Sequence, residues 1–143
     1  MDVQIRDATP DDIKEIKKIL SFYILETERV EKNLAEFKVA ILDEKIVGCA
    51  CLDAEDVVEL RSIAVLPNYR NKGIGSLLVD VVMDRAAKIA DEFYLRTTTP
   101  VFFEKKGAVR IPNDDKKQIW LECKECDNFI ICKQMPMKFK NFK

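Results

Sequence analysis

Residues 69–78 read Tyr-Arg-Asn-Lys-Gly-Ile-Gly-Ser-Leu-Leu. Gly73 and Gly75 stand one residue apart, Arg70 and Lys72 come just before them, and an apolar helical pattern opens directly behind. Where a strand turns into a helix, the first backbone N–H groups have no intrahelical partner and point out of the helix N-terminus, which is an anion site by geometry. Glycines there let a pyrophosphate approach the backbone closely, and Arg70 and Lys72 add charge at its edge. Two rival phosphate motifs fail on spacing. A dinucleotide fingerprint needs a third glycine where Leu78 stands, and a P-loop needs Gly-Lys-Ser/Thr where Gly75-Ser76-Leu77 stands. The spacing that remains is Arg70-x-x-Gly73-x-Gly75, and its plain alternative is a turn that merely opens a helix.

The run V-V-E-L-R-S-I-A-V-L at 57–66 feeds this stretch. Its β-branched character predicts a central strand, which Pro67-Asn68 ends in a turn. Side chains alternate along a strand, so Glu59, Arg61, Ile63 and Val65 are expected on one face, with Arg61 beside Glu59. A bulge would break that alternation beyond it. No histidine occurs among the 143 residues. Ser-His-Asp triads, Cys-His pairs and imidazole metal sites are therefore excluded, and proton transfer must use carboxylate, Tyr, Cys, Lys or water.

The elements that must position these residues follow from periodicity. Val3, Ile5 and Ala8 alternate as a first strand. Thr9-Pro10-Asp11-Asp12 then supplies an N-cap, a proline at the first helical position and an acid three residues after the cap. The helix it starts has an apolar face of Ile13, Ile16, Ile19, Leu20, Tyr23 and Ile24, expected in the core. A weaker helical stretch is expected around Val30, Leu34 and Phe37. Next come two β-rich runs, K-V-A-I-L and I-V-G-C-A-C-L, joined as a hairpin by Asp43-Glu44-Lys45. After Gly75, Leu77, Leu78, Val81, Val82, Ala86 and Ile89 form a helical stripe, and a strand follows near Phe93 to Thr98. Strand, glycine turn, helix and strand make a βαβ unit. A short helix around Val101 to Lys105, a last strand after Gly107 and a cysteine-bearing tail complete one mixed α/β domain over residues 1–143, with the tail at about 119–143.

Hydrophobic residues make up 48% and charged residues 34% of the chain, an ordinary globular balance. With 24 basic and 25 acidic residues the net charge is −1, which points away from a nucleic-acid partner. The lysines of K-F-K-N-F-K at 138–143 read as a solvated end. No apolar run reaches the ~20 residues that a membrane span needs, and the first residues lack a signal pattern, so the expected location is cytoplasmic. Five cysteines in such a chain read as reduced thiols. Cys123, Cys126 and Cys132 suggest zinc only superficially, since a fourth ligand would have to come from Asp127, Cys49, Cys51 or water. No metal is expected. Trp120 reads as a core anchor.

Arg70-x-x-Gly73-x-Gly75 resembles the acyl-CoA pyrophosphate signature of the GNAT acetyltransferases, Q/R-x-x-G-x-G/A. The likeness extends over nearly the whole chain, through the order of elements, the strand E-L-R-S-I-A-V-L-P and the later F-F-E-K-K-G. More narrowly it is similar to the short amino-acid N-acetyltransferases related to N-acetylglutamate synthase of arginine biosynthesis, through Glu59 to Val65, Tyr69-Arg70, Phe102-Phe103-Glu104 and the tail Ile119-Trp120 with its three cysteines. The resemblance implies a single-domain GNAT fold with a central, mostly antiparallel sheet flanked by helices. The implied activity is acetyl transfer from acetyl-CoA to the amine of a small amino-acid-like acceptor, glutamate being the subfamily's suggestion. Homodimers are common in the superfamily.

By resemblance Glu59 is the general base, acting through water, and Ile63, Ala64 and Val65 offer backbone to the thioester and pantetheine. Arg70, Asn71, Lys72, Gly73, Ile74, Gly75 and Ser76 hold the pyrophosphate, and Phe102 and Phe103 line the cofactor. Arg61 could take an acceptor carboxylate as a bidentate partner, with Ser62, Arg29 and Thr97 beside it. For Glu59 and Arg61 the competing reading is a structural ion pair. Phe103 stands where the family has a tyrosine acid, so the thiolate leaves unprotonated or takes its proton from water or Lys. Ala108 stands where an aromatic is usual. The segment L-E-T-E-R-V-E-K-N-L-A-E-F lacks the subfamily's L-P-R-type loop and is acidic, which favours a cationic acceptor. Acetylation of a protein N-terminus, a lysine or a polyamine, and non-catalytic acyl-CoA binding, remain as rival readings.

Overall fold

A computed structural model describes residues 2–124, 126 and 132–140. Its strands are β1 (Gln4–Asp7), β2 (Phe37–Leu42), β3 (Lys45–Asp53), β4 (Glu59–Val65), β5 (Glu92–Thr97), β6 (Val109–Arg110) and β7 (Met135–Lys140). Its helices are α1 (Ile13–Phe22), α2 (Ile74–Ile89), α3 (Pro100–Glu104), α4 (Lys116–Ile119) and α5 (Leu121–Lys124). The class is mixed α/β and the sheet mostly antiparallel, as expected. The chain divides into two compact units, Met1–Asp53 with Leu60–Arg85, and Ala54–Glu59 with Ala86–Lys143.

In the first unit β1, β2, β3 and β4 are hydrogen-bonded neighbours in that order, with β1/β2 and β2/β3 antiparallel. The hairpin closes through Asp43 and Glu44, both at positive φ (51° and 64°), between the paired Leu42 and Lys45. Two left-handed residues give the turn whose twist matches its strands. Helix α1 covers the sheet, and Ile16, Ile19 and Leu20 join Val30, Phe37, Val39, Cys49, Cys51 and Ala64 in one core. Gly48 lets strands and helix close up. A Cβ there would lie 3.0 Å from the Ala64 carbonyl oxygen and 3.1 Å from Leu78 Cδ1.

The start of α1 is the capping arrangement that Thr9-Pro10-Asp11-Asp12 predicts, although its first turn is a 3₁₀ turn. The Asp12 carboxylate accepts the Thr9 N–H at 2.8 Å, and the Arg6 guanidinium grips it at 2.7 and 3.1 Å. Arg6 first, and the Thr9 donors, hold the buried Asp12 well below its ordinary 3.8, at about 2. A depressed carboxylate stabilises the fold above its unfolded pKa and loses that contribution as pH falls through the folded value. Asp12→Asn should therefore cost about 2 kcal/mol at pH 7, or less because Arg6 is half exposed. The gap in urea midpoint between wild type and variant should close as the pH approaches 2.

In the second unit β5 and β6 both pair antiparallel with β7, so β7 lies between them. Glu59, the first residue of β4, pairs in parallel with Tyr94 of β5, and the Tyr94 N–H donates to the Val58 carbonyl at 2.9 Å. The parallel pair on either side of α2 in the chain is the expected βαβ succession. Phe93 and Phe139 stack with centroids 5.0 Å apart, and Trp120 is buried, as a core anchor should be.

Five local expectations need correction. Ile24 is 93% exposed, because α1 ends at Phe22 and Ile24 itself takes the left-handed conformation (φ 57°). The stretch around Val30 and Leu34 forms turns and one 3₁₀ turn, and Phe37 opens β2. Helix α2 buries Ile74, Leu78, Val79, Val82 and Ala86, while Leu77 and Ile89 face solvent. The strand after Gly107 has only two residues, and the main closing strand is β7. Lys138–Lys140 is thus no solvated end: Met137 and Phe139 point into the core between outward lysines, while 141–143 lie outside the described residues. No helix among the described residues is long and apolar enough to cross a membrane.

Candidate functional site

In the first unit β4 runs into a 3₁₀ turn at Pro67–Tyr69, then through Arg70, Asn71 and Lys72 into α2. Asn71 and Gly73 take positive φ (63° and 81°). The Gly73 carbonyl accepts the Leu77 N–H at 3.1 Å, closing the first turn of a sixteen-residue helix. The N–H groups of Ile74, Gly75 and Ser76 therefore have no intrahelical acceptor. A Cβ on Gly73 would meet nothing within 4 Å, and one on Gly75 only Val65 Cγ2 at 3.7 Å. Space outside the helix end is open, and Arg70 and Lys72 are exposed beside it. This fits a pyrophosphate. The Ile74 side chain is core, so only its backbone faces that space.

Along β4 the alternation expected for Glu59, Arg61, Ile63 and Val65 fails at Ser62, whose φ is 55°. A left-handed residue inside a strand is a bulge-like break that re-aims its neighbours, and for serine it costs about 1–2 kcal/mol. Such strain concentrates at functional sites. The Val65 carbonyl accepts a hydrogen bond from the Tyr23 hydroxyl. Of the backbone that Val65 was expected to offer pantetheine, the carbonyl therefore already has a partner.

Arg61, Ser62 and Arg29 come together in one pocket with Glu26, Asn33 and Asp53. Arg29 Nη1 lies 2.9 Å from Asp53 Oδ2 and its Nε lies 3.4 Å from Glu26 Oε1. Arg61 Nη2 lies 3.3 Å from Glu26 Oε2. Asn33 Nδ2 donates to Cys51 Sγ at 2.9 Å and to the Leu52 carbonyl at 2.8 Å. Burial, only partly offset by that amide, pushes the Cys51 thiol up to about 12, and burial alone does the same to Cys49. Neither is a nucleophile at neutral pH. The pocket is thus two guanidiniums facing two carboxylates, and it can exchange a carboxylate or hold a zwitterion.

The second unit contains Glu59, Thr97, Phe102 and Phe103. Glu59 is 3% exposed, and Arg96 Nη2 reaches both its oxygens, at 3.2 and 3.3 Å. Arg96 also pairs with Glu122, donates to Cys123 Sγ at 3.3 Å and lies over the Trp120 ring, 4.5 Å from its centroid. Burial pulls the Arg96 pKa down, but Glu59 and Glu122 more than restore it, leaving it raised. Thr97 Oγ1 accepts the Thr99 N–H at 2.9 Å, which ties it to the turn into α3. Phe103 is buried and packs edge-on against the half-exposed Phe102. Among the described residues no metal-binding group forms, Cys126 is exposed, and Asp127 lies outside them.

Sequence reasoning missed Glu26, Asp53, Asn33, Tyr23 as a hydrogen-bond donor, and Arg96. Only Arg96 had a signal: it stands inside the expected strand Phe93 to Thr98, and an arginine that such a strand buries needs an acid.

The model of the acetyltransferase (GNAT) family matches residues 4–105. An uncharacterised N-acetyltransferase of Chlorobaculum tepidum is 30% identical over 95% of both chains. An amino-acid acetyltransferase of Haemophilus ducreyi is 31% identical over 62% of this chain, which spans only 21% of that protein. Among solved structures, N-acetylglutamate synthase from Neisseria gonorrhoeae, complexed with coenzyme A and L-arginine, superposes with a TM-score of 0.80 at 26% identity, over 99% of this chain and 34% of that one.

Proposed function

This chain belongs to the acetyltransferase (GNAT) family, and from that premise we propose that it transfers the acetyl group of acetyl-CoA to the α-amine of a small amino acid. The observation that carries the reading is the first unit's β4, which leads from the Arg29/Arg61 pocket to the open N-terminus of α2. The amino-acid acetyltransferases it resembles and the coenzyme A in the Neisseria structure support donor and acceptor class alike.

In this reading Gly73, Ile74, Gly75 and Ser76 give backbone N–H groups to the pyrophosphate, with Arg70, Asn71 and Lys72 at its edge. Ile63, Ala64 and the Val65 N–H serve the thioester and pantetheine. Arg61 takes the acceptor carboxylate, with Arg29 and Ser62 beside it; the family resemblance assigns Thr97 to the acceptor and Phe102 and Phe103 to the cofactor. Glu59 takes a proton from the ammonium through water, the amine nitrogen bonds to the acetyl carbon, the C–S bond breaks, and the second proton on that nitrogen passes to solvent to leave the neutral amide. Phe103 cannot donate a proton. The thiolate, whose thiol pKa lies about 1.5 units above neutral, leaves as such and takes its proton from solvent.

Purified protein with acetyl-CoA and a panel of amino acids, polyamines and peptides, followed by free thiol, tests the reading. Release with a carboxylated small amine is expected, and release confined to peptides or polyamines would overturn it. Gly73→Ala probes the donor half. Its φ of 81° suits glycine, and alanine there costs about 1–2 kcal/mol of strain. An increase in acetyl-CoA KM of about tenfold is expected, with acceptor KM unchanged.

A further inference from the structure

Glu26 places its two carboxylate oxygens against two different guanidiniums, Oε1 3.4 Å from Arg29 Nε and Oε2 3.3 Å from Arg61 Nη2. These separations are longer than the 2.7–2.9 Å usual for charge-assisted hydrogen bonds. The pocket's other acid differs. Asp53 holds Arg29 at 2.9 Å with its side chain 8% exposed, against 40% for Glu26. Asp53 is a fixed part of the wall, whereas Glu26 is the more exposed and more loosely held acid. Glu26 also comes from the segment after α1, where the backbone forms neither helix nor strand and Ile24 stands almost fully in solvent.

We infer that Glu26 is a built-in competitor for the acceptor's carboxylate, occupying the Arg29/Arg61 position until substrate displaces it, and so sets which acceptors the pocket admits. With Glu26 in place the four charges sum to zero, and with Glu26 swung out they leave one positive charge. One carboxylate is then accommodated. A second on the same acceptor meets Asp53 and the displaced Glu26. Glu26 thereby biases the site toward monocarboxylate amino acids over dicarboxylates. This deepens the reading of the pocket as an acceptor site and rests on it.

The test is calorimetric titration of L-glutamine and L-glutamate into the full chain with CoA present, comparing wild type, Glu26→Gln and Glu26→Ala. Removing two partly exposed ion pairs should tighten binding about tenfold in both variants, and more for glutamate than for glutamine. Equal or weaker binding in both variants, with melting temperatures unchanged, would overturn the inference, as would no binding to any of the three proteins. Acetyl transfer to amines is measured separately, so failure of the proposed reaction is distinguishable from failure of the competitor.

Discussion

Glu59→Gln is expected to lower kcat/KM by about 10²–10⁴-fold, the range for losing a positioned general base. The loss should fall on kcat, with acetyl-CoA KM unchanged. It should also depend on pH. Without the carboxylate, only acceptor already deprotonated in solution can react, so the deficit should shrink as pH rises toward the amine's own pKa. A uniform loss across pH would instead mean that Glu59 holds structure. That alternative has substance, because Glu59 is 3% exposed and shares Arg96 with Glu122 over the Trp120 ring. Glutamine preserves the shape but leaves Arg96 one acid fewer, and a partner removed from a buried pair is costly. The variant's melting temperature belongs beside its rate.

Arg61→Ala is expected to raise the acceptor KM about 10²-fold, the cost of losing a charge-assisted contact to the acceptor carboxylate. Acetyl-CoA KM should not move. Arg61→Lys should recover little, because a point charge cannot reproduce a fork that engages both oxygens of a carboxylate. Acceptors lacking a carboxylate should be almost indifferent to either change. Equal loss on such amines would show that Arg61 supports β4 and does not touch the acceptor.

Much of this was legible in residue order because its cause is local. Asp43-Glu44 closes a two-residue hairpin, Thr9 to Asp12 caps α1, and the glycines mark the entry to α2. Errors arose where tertiary context decides. Ile24 fits the helical period, yet the helix stops two residues earlier. Phe37 fits both a helix and a strand, and the sheet claims it. In β7 the alternation of Met137 and Phe139 with lysines was present, but lysines at a chain end read as a solvated tail.

At the site, motif spacing exposed the glycine loop, and strand position exposed Glu59 and Arg61. Their partners stayed hidden because pairing spans long separations: Glu26 with Arg61 across 35 residues, Arg29 with Asp53 across 24, and Glu59 with Arg96 across 37. Nothing in a serine announces a left-handed residue, so the break at Ser62 could be anticipated only as a bulge somewhere in β4.

The position of the transferred acetyl group tests the central claim most directly. With acetyl-CoA labelled with ¹³C in the acetyl group and L-lysine as an acceptor carrying two amines, carbon NMR of the product distinguishes the α from the ε position. A carboxylate held by Arg61 predicts label on the α-nitrogen. Label on the ε-nitrogen, or acetate released to water alone, would contradict it.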